Sequence, residues 1–130
     1  MLKLIAILMV FSGSLFALDW VKDIDTAFTL AKKENKSVMV FVESEHCRWC
    51  TKMKGRTLSD ENVEKRLEKF ILVKVMREDE DAMKHLPEVK GAPTIFFMKN
   101  DKEVLEDILG YFDVLDFTSY INDVEKKMAK

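Results

Sequence analysis

The stretch that decides the fold runs from residue 38 to residue 50 and reads Val-Met-Val-Phe-Val-Glu-Ser-Glu-His-Cys-Arg-Trp-Cys. Its first five residues are apolar and mostly β-branched or aromatic, which is typical of a strand buried on both faces. After a short polar connection, the segment from Cys47 onward reads as a helix that carries Trp49 and Cys50. The sequence therefore predicts a buried strand that delivers two cysteines, three positions apart, to the start of a helix.

The chain has two cysteines in all, Cys47 and Cys50. A disulfide between them closes so short a loop that it restricts the unfolded chain very little, so stabilisation explains the pair poorly. Chemistry that opens and closes the bond explains it better. A CxxC pair also occurs in zinc sites, but only His46 and His85 remain as further ligands of the usual kind, and the sequence has no second CxxC.

The expected position of Cys47 favours its thiolate form. A residue at a helix N-terminus lies near unpaired backbone N–H groups and the positive end of the helix dipole. His46, Arg48 and Lys52 add positive charge nearby. We therefore expect the pKa of Cys47 to fall below the value of about 8.5 for a free thiol, while Cys50, one turn further in and shielded, keeps a higher pKa.

Apolar periodicity predicts the rest of the chain. We expect further strands over residues 71–76, 94–98 and 103–109, and a polar helix and loop over residues 77–92. The remaining helices are expected near residues 24–34, 59–70 and 114–128, the first ended by Asn35. Strands joined through helices are parallel, and the last pair, joined by a tight turn, is antiparallel. The prediction is an α/β fold with a mixed four-stranded sheet and helices on both faces.

Length and charge limit the range of functions. The chain has 130 residues, enough for one domain, and its net charge of −2 gives no electrostatic case for nucleic acid. Residues 1–17 have the order of a secretory signal peptide, with a basic Lys3, a short apolar run and the small residue Ala17 at the expected cut. We expect a mature domain over residues 18–130. An uncleaved anchor and a buried N-terminal element are the alternatives.

A second signal is Gly91-Ala92-Pro93-Thr94, directly before an apolar, β-prone run. Proline is rare inside strands because it lacks a donor for the ladder, but it is tolerated at a strand's first residue. A cis bond there would be a deliberate feature. Taken alone, the segment fits an ordinary proline at the end of a loop better than a cis bond.

Three segments together resemble a known family. They are residues 47–53 (Cys-Arg-Trp-Cys-Thr-Lys-Met), residues 57–63 (Thr-Leu-Ser-Asp-Glu-Asn-Val) and residues 84–97, which contain the Pro-Thr pair. The sequence resembles the thioredoxin superfamily, and more narrowly the thioredoxin-related proteins of bacterial envelopes and the C-terminal domain of DsbD-type thiol reductant transporters. The resemblance covers residues 19–128.

The resemblance implies a thioredoxin-like fold in which Pro93 is cis and faces the two cysteines as part of the catalytic site. The backbone at Ala92 would pair with an extended segment of the partner. Trp49 would lie at the exposed rim and help to dock partners, with Arg48 and Thr94 beside it.

The sequence also departs from the family. Thioredoxins commonly bury an acid in the strand before the CxxC as a proton acceptor, but Phe41 occupies that position here. Glu43, two residues on and on the same strand face, is a candidate substitute for proton transfer. His46 stands where a tryptophan usually precedes the first cysteine. It could tune the local charge when protonated, or simply be solvated.

The leading hypothesis is a periplasmic thiol–disulfide oxidoreductase that reduces disulfides in envelope proteins. The resemblance implies a membrane electron donor of the DsbD type as a second partner. We expect no cofactor, no metal, no nucleic acid and a monomer, since no dimerisation segment is apparent. The alternatives are an oxidase or isomerase of the same fold, a chaperone that holds Cu(I) through the two cysteines, and a module whose disulfide stays closed.

Overall fold

The computed structural model describes residues 18–130. The predicted signal peptide, residues 1–17, lies outside the described residues. The elements follow the order β1 (Trp20–Val21), α1 (Ile24–Glu34), β2 (Ser37–Glu43), α2 (Arg48–Lys52), a π-helical turn (Met53–Thr57), α3 (Glu61–Leu67), β3 (Phe70–Met76), α4 (Glu80–Met83), β4 (Thr94–Met98), β5 (Val104–Leu109) and α5 (Val114–Met128).

The sheet has five strands in the order β1-β3-β2-β4-β5. β3 runs parallel to β1 and β2, whereas β4 runs antiparallel to both β2 and β5. The predicted α/β fold with a mixed sheet is confirmed, but the predicted number of four strands was too low. β1 was missed because its two residues, Trp20 and Val21, are too few to show an alternating pattern.

Local capping explains where the first helices begin and end. The Asp23 side chain accepts the N–H of Thr26 and starts α1, and Asn35, in the left-handed region with φ 52°, ends it. Asp60 caps α3 in the same way.

The sequence predicted that α3 extends to residue 70, but Phe70 is the first residue of β3. Phe70 still packs in the apolar core that contains Val63 and Leu67 of α3, and its ring lies edge-on to that of Phe97 at 5.1 Å between centroids.

The sheet separates two apolar cores. One is built with α1 and contains Phe28, Val40 and Phe96. The other lies under α2, α3 and α5, and contains Phe97, Phe117 and Cys50. α2 therefore lies against the larger core, and the inner side of the CxxC helix is held by packing.

Two salt bridges tie α3 and the turn that follows it to α5. Arg66 Nη2 lies 3.0 Å and Lys69 Nζ 3.4 Å from the two carboxylate oxygens of Glu125. Partial burial raises the pKa of Glu125, but the hydrogen bonds and positive charges of Arg66 and Lys69 outweigh it and hold the pKa below its ordinary value. The carboxylate is therefore bound in its charged form.

The sheet register brings two loops to the same edge. Val42 near the end of β2 is paired with Thr94 at the start of β4. The loop that follows β2 leads to Cys47, and the loop that precedes β4 ends at Pro93, so both reach this edge. Over residues 18–130, no helix combines the length and the apolar character needed to cross a membrane.

Candidate active site

The two cysteines form a disulfide at the start of α2, with their Cα atoms 5.2 Å apart. Cys47 is the N-cap residue, and its sulfur accepts the backbone N–H of Cys50 at 3.1 Å. Cys47 is half-buried, whereas Cys50 is 2% exposed. The arrangement leaves Cys47 partly exposed and places Cys50 behind it, in the core.

The loop before Cys47 makes a sharp turn at His46. Its φ of 55° lies in the left-handed region, which histidine adopts more readily than most residues. The side chains of His46 and Arg48 are both exposed. The structure thus places an imidazole and a guanidinium at the solvent-exposed side of the site, one on each side of Cys47 in the sequence.

The segment before β4 has the form implied by the resemblance. The Ala92–Pro93 peptide bond is cis, Pro93 is buried and Ala92 is half-buried. Thr94 is 5% exposed, and its hydroxyl donates to the carbonyl of Gly91 at 2.7 Å. The Thr94 side chain therefore closes its own loop, and its docking role stays a prediction.

Trp49 projects from the CxxC helix and is 51% exposed. Its ring lies 5.6 Å from that of Tyr111, between centroids. The Lys52 ammonium lies over both rings, 4.7 Å from the Trp49 centroid and 4.8 Å from the Tyr111 centroid. The predicted exposure of Trp49 agrees with this placement, and the contacts with Lys52 and Tyr111 fix its orientation.

The loop of residues 110–113 joins both halves of the site. The Gly110 N–H donates to the carbonyl of Pro93 at 2.8 Å. The ring of Tyr111 packs on Trp49, and the carbonyl of Phe112 accepts the hydroxyl of the buried Thr57 in the π-helical turn. This loop was not identified as part of the site, since its aromatic residues carry no motif and meet α2 only in the folded chain.

Glu43 ends β2 in an ion pair with Lys54, whose Nζ lies 2.6 Å from Oε1 of the carboxylate. The Glu43 side chain is 16% exposed, so it is largely shielded from water. Phe41, two residues earlier, is fully buried, with its ring 6.3 Å from that of Trp20. Phe41 has no group that could accept a proton, whereas the Glu43 carboxylate lines the same depression as the two cysteines.

The turn between β3 and α4 holds both active-site loops. The Arg77 N–H donates to the carbonyl of Glu43 at 2.7 Å, and its guanidinium donates to the carbonyl of Val89 at 3.0 Å. The carboxylate of Glu78 accepts the N–H of Glu45 at 3.3 Å. The sequence shows these residues only as part of a charged run, which is also typical of a solvated loop.

An open depression of about 580 Å³ lies beside Cys47. Its lining includes Glu43, His46 and Arg48 together with both cysteines and Met76. This space gives a partner's sulfur access to Cys47. Among residues 18–130, no three His, Cys, Asp or Glu side chains are grouped so that they could hold a metal ion.

The comparisons with known proteins agree with this geometry. The thioredoxin-like family model matches residues 19–100. Anterior gradient protein 3 of Xenopus tropicalis is 32% identical over 103 residues, which cover 78% of this chain and 62% of that protein. The chain thus spans less than two thirds of the length of this relative, and 56% of its mouse counterpart.

Solved structures give the same fold. A thioredoxin from Thermus thermophilus superposes with a TM-score of 0.70 at 26% identity, covering 82% of this chain and 86% of that one. The oxidised DsbD C-terminal domain of Neisseria meningitidis gives a TM-score of 0.62 at 21% identity, over 75% of this chain and 89% of that one. With the matched family and the paired cysteines at the start of α2, these findings show that the chain belongs to the thioredoxin-like family.

Proposed function

We propose that this protein is an exported reductase of disulfides in envelope proteins, with Cys47 as the nucleophile and Cys50 as the resolving thiol. The observation that carries the proposal is the placement of the two sulfurs. Cys47 is half-buried, lines the open depression and accepts a backbone N–H at the start of α2, while Cys50 is nearly inaccessible behind it. A backbone donor and nearby cations stabilise the thiolate, the reactive form.

The reaction proceeds in two exchange steps. In the reduced protein, the Cys47 thiolate attacks one sulfur of the partner's disulfide, and the other partner sulfur leaves as a thiolate and takes up a proton. The Cys50 thiol then loses its proton and attacks the Cys47 sulfur of the mixed disulfide. The partner leaves fully reduced, and the Cys47–Cys50 disulfide holds the oxidised state.

Each cycle transfers two electrons to the partner, so a reductant has to restore the dithiol. A membrane electron donor of the DsbD type fits this requirement, and the similarity to a DsbD C-terminal domain supports it at the level of the fold. Export is supported by the signal-peptide pattern of residues 1–17. An oxidising compartment is also where a dedicated disulfide reductase has substrates.

The roles of the other residues follow from their positions. Pro93 and Ala92 lie at the sheet edge that Cys47 reaches, where a partner segment could lie alongside the Ala92 backbone. Trp49, with Arg48 beside it, offers an exposed aromatic surface for docking. Glu43 is the candidate proton acceptor for Cys50, and Lys54 holds its carboxylate in place.

The direction of exchange is tested by equilibrating the protein with glutathione buffers and measuring the potential of the Cys47–Cys50 pair. A value near that of thioredoxin, about −270 mV, supports a reductase. A value near about −120 mV, typical of a strong oxidant, would overturn the proposed direction in favour of an oxidase.

The order of attack is tested in the same preparations with matched cysteine variants. Cys50→Ser should trap mixed disulfides with partner proteins, while Cys47→Ser should trap none. If both variants trap partners equally, the assigned roles of the two thiols are wrong.

A further inference from the structure

The segment that carries the cysteines has an unusual charge distribution. From residue 46 to residue 59 the sequence contains four Lys and Arg residues and no Asp or Glu. The chain as a whole has a net charge of −2, so this excess is local. One of the four cations, Lys54, is neutralised by Glu43. The other three are Arg48, Lys52 and Arg56, and none of them forms an ion pair with a carboxylate of residues 18–130.

These three cations lie on one side of the segment. Their spacing of four residues places successive side chains on the same helix face. Cys50, Met53 and Thr57 form the inner face, with exposed fractions of 2%, 0% and 0%. Gly55, between the last two cations, faces open space, since a Cβ added there would meet nothing within 4 Å. The cations therefore form a stripe on the outer face, which we call the basic stripe (Arg48, Lys52 and Arg56).

The middle cation of the basic stripe is held in position. The Lys52 ammonium lies within 4.8 Å of the ring centroids of both Trp49 and Tyr111. A cation fixed on aromatic rings loses less side-chain entropy when it meets an anion. It also keeps N–H donors that the rings do not use. The Lys52 charge is therefore held next to Trp49, the proposed docking residue, before a partner binds.

The charge changes sign on the other side of Cys47. Glu45 lies in the loop that precedes the nucleophile, and Glu78 from the β3–α4 turn accepts its backbone N–H. A partner with acidic residues would be attracted along α2 and repelled from this loop. Charge complementarity of this kind steers encounter and fixes orientation.

We infer that the preferred partners carry acidic residues within about four positions of the cysteine that Cys47 attacks. This inference rests on the proposed function and names its substrate class. From Arg48 to Arg56 the basic stripe covers eight residue steps, or about 12 Å at the helical rise of 1.5 Å per residue. An extended chain covers that length with about four residues at 3.3 Å each. Because the stripe begins one residue from Cys47, a polypeptide that carries the disulfide fits it better than an anionic membrane surface does.

The test uses peptides of equal length with one cysteine blocked as its 2-pyridyl disulfide. The residues next to the cysteine, on either side in separate peptides, are all Glu, all Gln or all Lys. The protein is first reduced with dithiothreitol, which is then removed. The Cys47 thiolate attacks the peptide sulfur and pyridine-2-thione leaves, which gives the rate by absorbance. Cys50 then displaces the peptide thiol. We expect the Glu peptide to react about tenfold faster than the Lys peptide at low ionic strength, with a preference that shrinks in about 0.5 M salt.

The variant Arg48→Gln/Lys52→Gln/Arg56→Gln should lose the preference. The matched control Lys32→Gln/Lys33→Gln/Lys84→Gln removes three charges from exposed positions elsewhere and should keep it. The ratio between peptides is compared within each variant, so a change in the reactivity of Cys47 itself cancels.

The outcomes separate the inference from the proposed function. Equal rates with the Glu, Gln and Lys peptides in both series would overturn the inference and leave the exchange activity standing. No reaction with any peptide would overturn the proposed function, and the inference with it. The protein could instead bind vesicles that contain phosphatidylserine but not vesicles of phosphatidylcholine. If the triple variant loses this binding and the peptides react at equal rates, the basic stripe belongs to a membrane-binding surface.

Discussion

The hydrogen bond between Thr57 and Phe112 offers a sharp test of how the site is held together. Thr57 is fully buried in the π-helical turn, and its hydroxyl donates to the carbonyl of Phe112. The same loop holds Tyr111 against Trp49 and binds the carbonyl of Pro93 through Gly110. The variant Thr57→Val keeps the shape of the side chain but removes the donor, so it should detach the loop without opening a cavity.

The magnitude follows from the burial of the two groups. Leaving a buried acceptor without a donor costs about 1–3 kcal/mol, and this carbonyl is only partly shielded from water, so we expect a loss of about 1–2 kcal/mol in the free energy of unfolding. The matched control Thr57→Ser keeps the hydroxyl and removes one buried methyl group, which costs about 1 kcal/mol. The two variants are thus similar in stability but differ in whether the loop is tied to the turn.

Urea denaturation measures the stability loss, and the reduction of a protein disulfide measures the effect on the site. Thr57→Val should raise KM several-fold, because Tyr111 no longer fixes the orientation of Trp49, while Thr57→Ser should leave KM close to that of the original protein. If valine costs less than about 0.5 kcal/mol, the hydrogen bond does not contribute as argued. If serine and valine raise KM equally, the loop is not what positions Trp49.

Three further predictions test separate features. Glu43→Gln should slow the release of the reduced partner about tenfold or more, because a general base is lost. Lys54→Gln keeps the carboxylate but frees it from its ion pair, so it should slow release less, and equal slowing by both variants would exclude Glu43 as the proton acceptor. Trp49→Ala should lower kcat/KM for protein substrates about tenfold and change little for small disulfides, and an equal loss for both would contradict a docking role. Glu125→Gln should lower stability at pH 7 by less than about 1 kcal/mol, since the ion pairs are partly exposed. Because the pKa of Glu125 is lowered in the folded protein, this contribution is present above pH 4.5 and is lost below it. The free energies of unfolding of the variant and the original protein should therefore converge in acid. A stability difference that persists in acid would contradict the lowered pKa.

Much of the fold could be predicted because its signals are local. The apolar run before Cys47 marks β2, and the apolar periodicity of residues 24–34 marks α1. Each of these depends on a few neighbouring residues. β1 could not be predicted, because its strand character comes from pairing with β3 and not from its own two residues.

The site was predictable where chemistry is tied to a motif and missed where it depends on contacts between distant segments. Cys47 and Cys50 are recognisable from their spacing. The tie between Thr57 and Phe112 joins residues 55 positions apart, and Arg77 reaches Val89 from a run that looks solvated. Such partners have no sequence signature, since any donor that meets a carbonyl at the right place would serve.

The replacement of a buried acid by Phe41 changes the path by which a proton could leave Cys50. A carboxylate at position 41 would be enclosed in the apolar core beside Trp20, where ionisation is costly. Phe41 removes that cost and fills the core. Glu43 instead lies at the end of β2, where Lys54 compensates its charge and where the depression beside Cys47 opens to solvent. A proton accepted there can pass to water without crossing the core, so the proposed exchange needs no carboxylate at position 41 to take the proton from Cys50.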